Sequence, residues 1–359
     1  MEADDLLISR AAIESVRGAP CVLFAYHEMG CACLEALIGL GAPVLALFTH
    51  RDVSDEEIWW RSCADLARAH SIPVYLPDKI GTDEIAQVAA LRPAIIYSFY
   101  YRNLLSAELI ALAPLGAYNL HGSLLPKYRG RAPVNWMLAN GEREAGATLH
   151  HMVERADAGD IVAQRAVEII DDDTALTLYR KVVPIGADLI RQYHALIASE
   201  EAPRHAQDLT QGSYFGRRRP EDGRIDWRWP ARRIFNLVRA VTHPYPGAFG
   251  LLNGRKVYVW SAKIATEAGT RGAAGEVVSE VAGNIMGEHY DGAIEVAAGA
   301  GSVIISRVQF EGGAETSPRE MLESVRVEAA LPGSDWRDSV PEDNGAIARA
   351  ATAGMIRFD

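Results

Sequence analysis

The chain has 359 residues, 49% hydrophobic and 23% charged, with a formal net charge of −11. That length and apolar content are enough for packed cores in two domains, while the acidic balance argues against a nucleic-acid partner, which normally needs a basic face. No run of about 18 uncharged apolar residues occurs, and MEADDLLISRAAIESVRGAP lacks a basic start before an apolar stretch, so the expectation is a cytoplasmic chain with no membrane insertion.

In chain order, residues 1–19 read as an N-terminal extension. Short β-branched runs then alternate with helical patterns, the signature of strand–helix–strand units and a mostly parallel sheet. CVLFAYHE, PVLALFTH, PVYLPD, AIIYSFYY and GAYNLHGS read as successive strands. Between the second and third, Ser54-Asp55-Glu56-Glu57 has the form of a capping box and predicts a helix from there to about Ala69. TDEIAQVAALRP and SAELIALAP open on hydroxyl caps and close at proline, and Thr174 to Ser199 reads as a further helix with Pro184 kinking it. After Glu200 short strands broken by glycine take over, as in GAFGLLNGRKVYVWSAKI, and predict a small β-barrel or sandwich. The expected division is a catalytic domain over 20–205, a second domain over 206–332 and a tail over 333–359, partly disordered. Cys21, Cys31, Cys33 and Cys63 read as reduced thiols, since a single intervening residue is too short for a zinc ligand pair, and no metal is expected.

GAYNLHGS is the fifth strand of this predicted open sheet, and ligands of such sheets bind outside the carboxyl ends of the strands. Asn119 and His121 lie there, two apart and on one face. A histidine moves protons at neutral pH, and an asparagine amide can donate to an oxygen that becomes negative. ERADAGDIV supplies Asp157 and Asp160 in a glycine turn; a carboxylate near the ring would stabilise an imidazolium, although a pair of turn-forming aspartates is the plainer alternative. Ser123 lacks the G-x-S-x-G elbow of a serine nucleophile. His150-His151 reads as one site-wall residue and one solvent-facing residue, because strand neighbours point to opposite faces. Residues 211–260 hold ten Lys and Arg against Glu221, Asp222 and Asp226, a local net charge of +7 that suits a compact polyanion or, as readily, a solvated face.

HGSLLPKYRGRAPVNW, with GATLH, DAGDIV, FAYHEMGC, IIYSFYYRNLL, FGRRRPEDGRIDW and VRAVTHPYPGAF, resembles the 10-formyltetrahydrofolate-dependent formyltransferases from Cys21 to about residue 312, and within them the enzymes that formylate UDP-4-amino-4-deoxy-L-arabinose for lipid A modification. The resemblance implies an α/β Rossmann-like domain followed by a smaller OB-like β-barrel domain, 10-formyltetrahydrofolate as co-substrate, no metal, and a UDP-linked 4-amino sugar as acceptor. It implies Asn119, His121 and Asp157 as catalytic residues. Asn103, Leu104, Leu105, Arg131 and the loop Val153, Glu154, Arg155, Ala156 and Asp157 would face the folate. Asn103 stands where close relatives carry histidine. Arg217, Arg218, Arg239 and Tyr245 are the candidate contacts to the sugar nucleotide. The bifunctional relatives continue into a decarboxylating dehydrogenase, so this chain reads as monofunctional; a homo-oligomer is compatible with the sequence. Methionyl-tRNA formyltransferase, formyltetrahydrofolate hydrolase and a non-catalytic folate-binding protein are the alternative functions.

Overall fold

A computed structural model describes residues 19–53, 56–265, 282–330 and 357–358. Residues 1–18 of the predicted extension and, apart from 357–358, the predicted tail lie outside the described residues. The chain divides into two compact units.

The first unit comprises Met1–Val134, Arg143–Asp171 and Thr177–Arg217. Along the chain to Phe215 the order is β1 (Cys21–Ala25), α1 (His27–Gly39), β2 (Val44–Phe48), α2 (Cys63–Ala69), β3 (Val74–Tyr75), α3 (Thr82–Leu91), β4 (Ile95–Phe99), α4 (Ala107–Ile110), β5 (Ala117–His121), β6 (Arg129–Gly130), α5 (Pro133–Ala139), β7 (Glu144–His151), β8 (Ile161–Glu168), α6 (Ala175–Ala198) and β9 (Tyr214–Phe215), with α5 from Asn135 and the first two residues of α6 grouped with the second unit. The main sheet runs β3-β2-β1-β4-β5-β7-β8. β1 to β5 pair in parallel, and β7 and β8 are antiparallel. β1 and β4 are buried at every position, which is why they read as near-continuous apolar runs, interrupted only by Ser98, rather than as alternation. Val22, Phe24, Ala46, Phe48 and Ile96 form a core cluster that also takes in Leu105 and Leu109. All four cysteines are free and buried; burial pushes the Cys21 thiol up to about 12, and the sulfurs of Cys31 and Cys63 lie 3.3 Å apart.

The second unit comprises Asn135–Glu142, Asp172–Leu176 and Arg218–Asp359. It holds α7 (Ala231–Val241), β10 (Ala248–Leu252), β11 (Arg255–Ile264), β12 (Ile285–Glu288), β13 (Ile294–Ala297), β14 (Ser302–Phe310), β15 (Glu315–Thr316) and α8 (Pro318–Ala330), its strands forming one six-stranded antiparallel sheet. Val257, Val259, Ile294, Val296, Val303 and Ile305 bury its inner face, the period of two that a half-covered sheet requires.

Two sequence expectations change. The two units do not meet at residue 205: the first runs to Arg217, and two segments from the first half of the chain join the second. Side chains far apart in sequence make that grouping, with Asn135 Nδ2 donating to the Ala240 carbonyl at 2.7 Å and Arg239 Nη1 reaching the Asp173 carbonyl at 3.5 Å. Within the predicted tail, Phe358 is buried, bridges to Leu252 and packs its ring on Trp227 at 4.9 Å. The helix predicted from Ser54 starts at Cys63 instead. Residues 54–55 of the supposed capping box lie outside the described residues, and 56–61 are non-helical. There the half-buried Trp59 and Trp60 pack against His27 with centroids 4.6 and 3.9 Å away, so the ring packing of two indoles outweighs a local capping signal. The true cap is Ser62, whose hydroxyl accepts from the Asp65 N–H at 3.2 Å. Ser62→Ala is therefore expected to lower the unfolding free energy by about 1 kcal/mol in urea titrations, while Glu57→Ala has no measurable effect. An equal cost at Glu57 would restore the longer helix.

Candidate active site

β5 delivers the centre of the site because its register fixes which neighbours each side chain meets. Asn119 lies opposite Ser98 of β4 on one side and His150 of β7 on the other, and His121 lies opposite Thr148. Directly opposed residues of an antiparallel pair share a face, so Asn119 and His150 are brought together by strand pairing alone. His151, one residue on, turns to the other face and sets its ring 4.6 Å from Tyr118. His150 is thus a member of the site, buried at 2% exposure.

Hydrogen-bond chemistry assigns the protons. A carbonyl only accepts, so His150 Nδ1, 2.8 Å from the His151 carbonyl, carries a hydrogen. With the ring neutral, Nε2 is then an acceptor for the Asn119 amide nitrogen at 3.0 Å. The same amide nitrogen donates to Asp157 Oδ1 at 3.3 Å. His121 is fixed by the backbone: its Nε2 donates to the Tyr128 carbonyl at 2.7 Å, which leaves Nδ1 turned toward Asp157 Oδ1 at 3.7 Å. A proton taken up at Nδ1 would create an imidazolium with an acceptor at each nitrogen.

Asp157 sits at a positive φ of 52°, a costly conformation for a non-glycine residue, and several contacts hold it there. Its Oδ2 accepts from the Gly130 N–H at 2.8 Å, and Gln207 Nε2 donates to the Asp157 and Gly159 carbonyls at 3.1 and 2.6 Å. Burial opposes ionisation of the carboxyl, but attraction to His121 and His150 once those rings are protonated, together with the Gly130 N–H, outweighs it and holds Asp157 below the usual carboxylate range. Gly130 is needed for this geometry: its φ is 97°, and a Cβ would collide with the Phe215 carbonyl.

The loop that carries Tyr128 and Gly130 is itself strapped down by a segment that sequence reasoning did not single out for this role. Arg129 N–H donates to the Ser213 carbonyl at 3.0 Å, Arg131 N–H to the Phe215 carbonyl at 2.9 Å, and Tyr128 N–H to the Ser213 hydroxyl at 2.9 Å. The Tyr128 and Phe215 rings stack at 4.9 Å. Ser123 is buried, and its hydroxyl donates to the Lys127 carbonyl at 2.7 Å, which makes it a member of this loop's scaffold rather than an exposed nucleophile.

The expected folate-facing residues divide by burial. Leu104 is 75% exposed and Val153 44% exposed, whereas Leu105 is buried in the core cluster. Leu104 and Val153 thus leave large apolar side chains in contact with solvent. Arg131 Nη2 donates to the Arg102 carbonyl at 2.8 Å, which ties it to the segment that continues into Asn103. Glu154 and Arg155 are exposed and Ala156 half-buried on the loop leading to Asp157. Of the four expected sugar-nucleotide contacts, Arg217 ends the first unit and the others lie in the second. Arg218 stacks over Trp136 at 4.4 Å, and burial pushes the Tyr245 hydroxyl up to about 12. Arg239 departs from the expectation: it is buried on α7, its Nε donates to Asn236 Oδ1 at 3.0 Å, and its guanidinium lies over Phe235, so its role is to hold the second unit's core. Among the described residues no group of three or more His, Cys, Asp or Glu is arranged to hold a metal ion.

The formyl transferase family model matches residues 67–192, and the formyl transferase C-terminal domain matches residues 218–326. Among solved structures, the N-formyltransferase from Helicobacter canadensis in complex with folinic acid and dTDP-3-aminofucose is 20% identical. The match covers 80% of this chain and 98% of that one, with a TM-score of 0.61. WlaRD, a sugar 3N-formyltransferase solved in the presence of dTDP and 5-N-formyl-THF, is 18% identical over 80% of this chain and 96% of its own, with a TM-score of 0.59. A sugar N-formyltransferase from Shewanella sp. is 20% identical over 69% of this chain and 99% of its own, with a TM-score of 0.55. At these identities the likeness is one of fold. With N- and C-terminal domain models matched across most of its length, the chain belongs to the formyl transferase family.

Proposed function

We propose that this enzyme transfers the formyl group of 10-formyltetrahydrofolate to the amine of a nucleotide-linked amino sugar, with UDP-4-amino-4-deoxy-L-arabinose, an acceptor used in lipid A modification, as the specific substrate. The observation that carries the reading is the convergence of Asn119, His121 and Asp157 at the end of β5; the reading assigns the exposed Leu104 and Val153 to the folate. Its support among solved structures is the Helicobacter canadensis enzyme, which was crystallised with folinic acid and dTDP-3-aminofucose.

The folate supplies the formyl carbon as an electrophile. Asn119 donates to the formyl oxygen as negative charge develops there, exchanging its longer bond, the 3.3 Å contact to Asp157, for the stronger one to an oxyanion. The attacking amine sheds a proton to His121 Nδ1, the ring nitrogen not committed to Tyr128. Asp157 stabilises the resulting imidazolium, and the same Nδ1–H then protonates the folate nitrogen as the bond to the formyl carbon breaks. His150 keeps the Asn119 amide in place throughout.

His121→Ala and Asp157→Ala are each expected to lower kcat about a hundredfold or more in a formyl-transfer assay at saturating substrates, and near-normal turnover of His121→Ala would refute the proton relay. The depressed Asp157 carboxyl carries a second consequence. Its stabilising contribution is complete above the unfolded value of about 3.9 and is lost as pH falls below it toward the folded value. Asp157→Asn should therefore destabilise the protein at pH 7, with the difference from wild type shrinking toward pH 3 in urea titrations; a constant difference would contradict the depressed carboxyl. For the acceptor, UDP-4-amino-4-deoxy-L-arabinose and charged initiator tRNA are compared with one formyl donor. The net charge of −11 with one basic island favours the compact diphosphate, and faster formylation of the tRNA would overturn the assignment.

A further inference from the structure

The strand order β3-β2-β1-β4-β5 reverses between β1 and β4, and open α/β sheets bind ligands outside the carboxyl ends of strands at such a point. The residues that follow these two strands are aromatic: Tyr26 and His27 after β1, Tyr100 and Tyr101 after β4. His27 has a positive φ of 67°, stacks on Trp60, meets Trp59 edge-on, and places Nδ1 2.7 Å from the hydroxyl of Tyr179 on α6. Burial and the nearby Arg102 charge pull His27 down to about 3, so it is a neutral ring at physiological pH. None of these groups has a part in the proton transfers proposed for β5.

Beside them lies a cavity of about 320 Å³ bordered by Glu28, Trp59, Tyr179, Arg180 and Val183. Its volume falls at the lower end of the range of small-molecule sites. The Trp59 and Tyr179 rings stand perpendicular with centroids 5.6 Å apart, so a flat ring laid on one meets the other edge-on, the arrangement aromatic groups prefer. Arg180 is exposed and has no hydrogen bond or ion pair to another described residue, which leaves its guanidinium available for phosphate oxygens. The Glu28 carboxylate accepts from Arg61 Nε at 2.8 Å and from Arg61 N–H at 3.2 Å; burial opposes its charge, yet those bonds hold its carboxyl below the usual range, so it is an acceptor for a ligand N–H. Packed side chains link the cavity's lining to the catalytic strand. The Tyr179 ring lies 5.5 Å from that of Tyr100, and the Tyr100 hydroxyl sits where any Cβ on Gly122, the residue after His121, would collide with it.

Resting on the sugar-nucleotide reading above, we propose that this cavity is the nucleobase site for a pyrimidine nucleoside diphosphate, with the base against Trp59 and Tyr179, its ring N–H on Glu28 and the diphosphate on Arg180. The sugar then extends past Tyr100 toward His121.

Calorimetric titration with UDP tests the site apart from catalysis. UDP is expected to bind wild type at least tenfold more tightly than pyrophosphate does, and Trp59→Leu and Arg180→Ala are each expected to weaken UDP at least tenfold. In the transfer assay both variants should raise KM for the sugar nucleotide while KM for the formyl donor holds. Arg180 is a surface residue, so its variant keeps the test valid if Trp59→Leu folds poorly. Absence of UDP binding, or equal UDP affinity in wild type and Arg180→Ala, would overturn the site. Binding that both variants lose, without any formyl transfer to the amino sugar, would uphold the cavity and sink the acceptor assignment; transfer with KM unmoved in both variants would do the reverse.

Discussion

The hydrogen bond from His121 Nε2 to the Tyr128 carbonyl is the constraint on which the rest of the site depends. A backbone carbonyl cannot donate, so this one contact decides which ring nitrogen carries the resting proton and which is available to accept one. Because the free nitrogen faces Asp157, the charge created by proton uptake appears beside a carboxylate already held ionised by its surroundings. The carboxylate therefore does not orient the ring. The loop backbone orients it, and Asp157 acts on the charged form.

That division of labour explains why so much structure is devoted to an eleven-residue stretch after β5. The Tyr128 carbonyl is only as well placed as its loop, and the loop is fixed by a short parallel ladder to β9, by the Ser213 hydroxyl and by ring stacking on Phe215. The same loop presents the Gly130 N–H to Asp157, while Gln207 ties the Asp157 turn from the other side. Residues 207 to 215 thus brace both the carbonyl that sets the histidine and the turn that sets the aspartate. A displacement of that strap would move the two catalytic partners together.

What the sequence revealed, and what it concealed, follows from the range of the interactions. The alternation of Asn119 and His121 on a strand is a local pattern, and it places both on one face correctly. The capping signal at Ser54 is also local, yet it misled, because the preference it expresses is worth less than packing Trp59 and Trp60 on His27. Of the His150-His151 pair the alternation of a strand leaves open which residue walls the site, and the antiparallel register of β7 against β5 decides it by pairing His150 with Asn119. The strap was hidden because its contacts to the loop are largely backbone hydrogen bonds, which leave little trace in residue type. Arg239 shows the opposite error. A charge in a basic stretch looked available for a ligand, but it is consumed by Asn236 and a carbonyl inside the second unit.

The central claim is the direction of His121, and its most direct test is the nitrogen chemical shifts of that ring, recorded by NMR on labelled protein at a pH where the ring is neutral. The structure predicts a hydrogen on Nε2 and a bare Nδ1, with the Nε2–H resonance lost or shifted when the loop is loosened by Phe215→Ala. A hydrogen found on Nδ1 would contradict it, because the lone pair would then face the Tyr128 carbonyl and the proposed acceptor nitrogen would already be occupied.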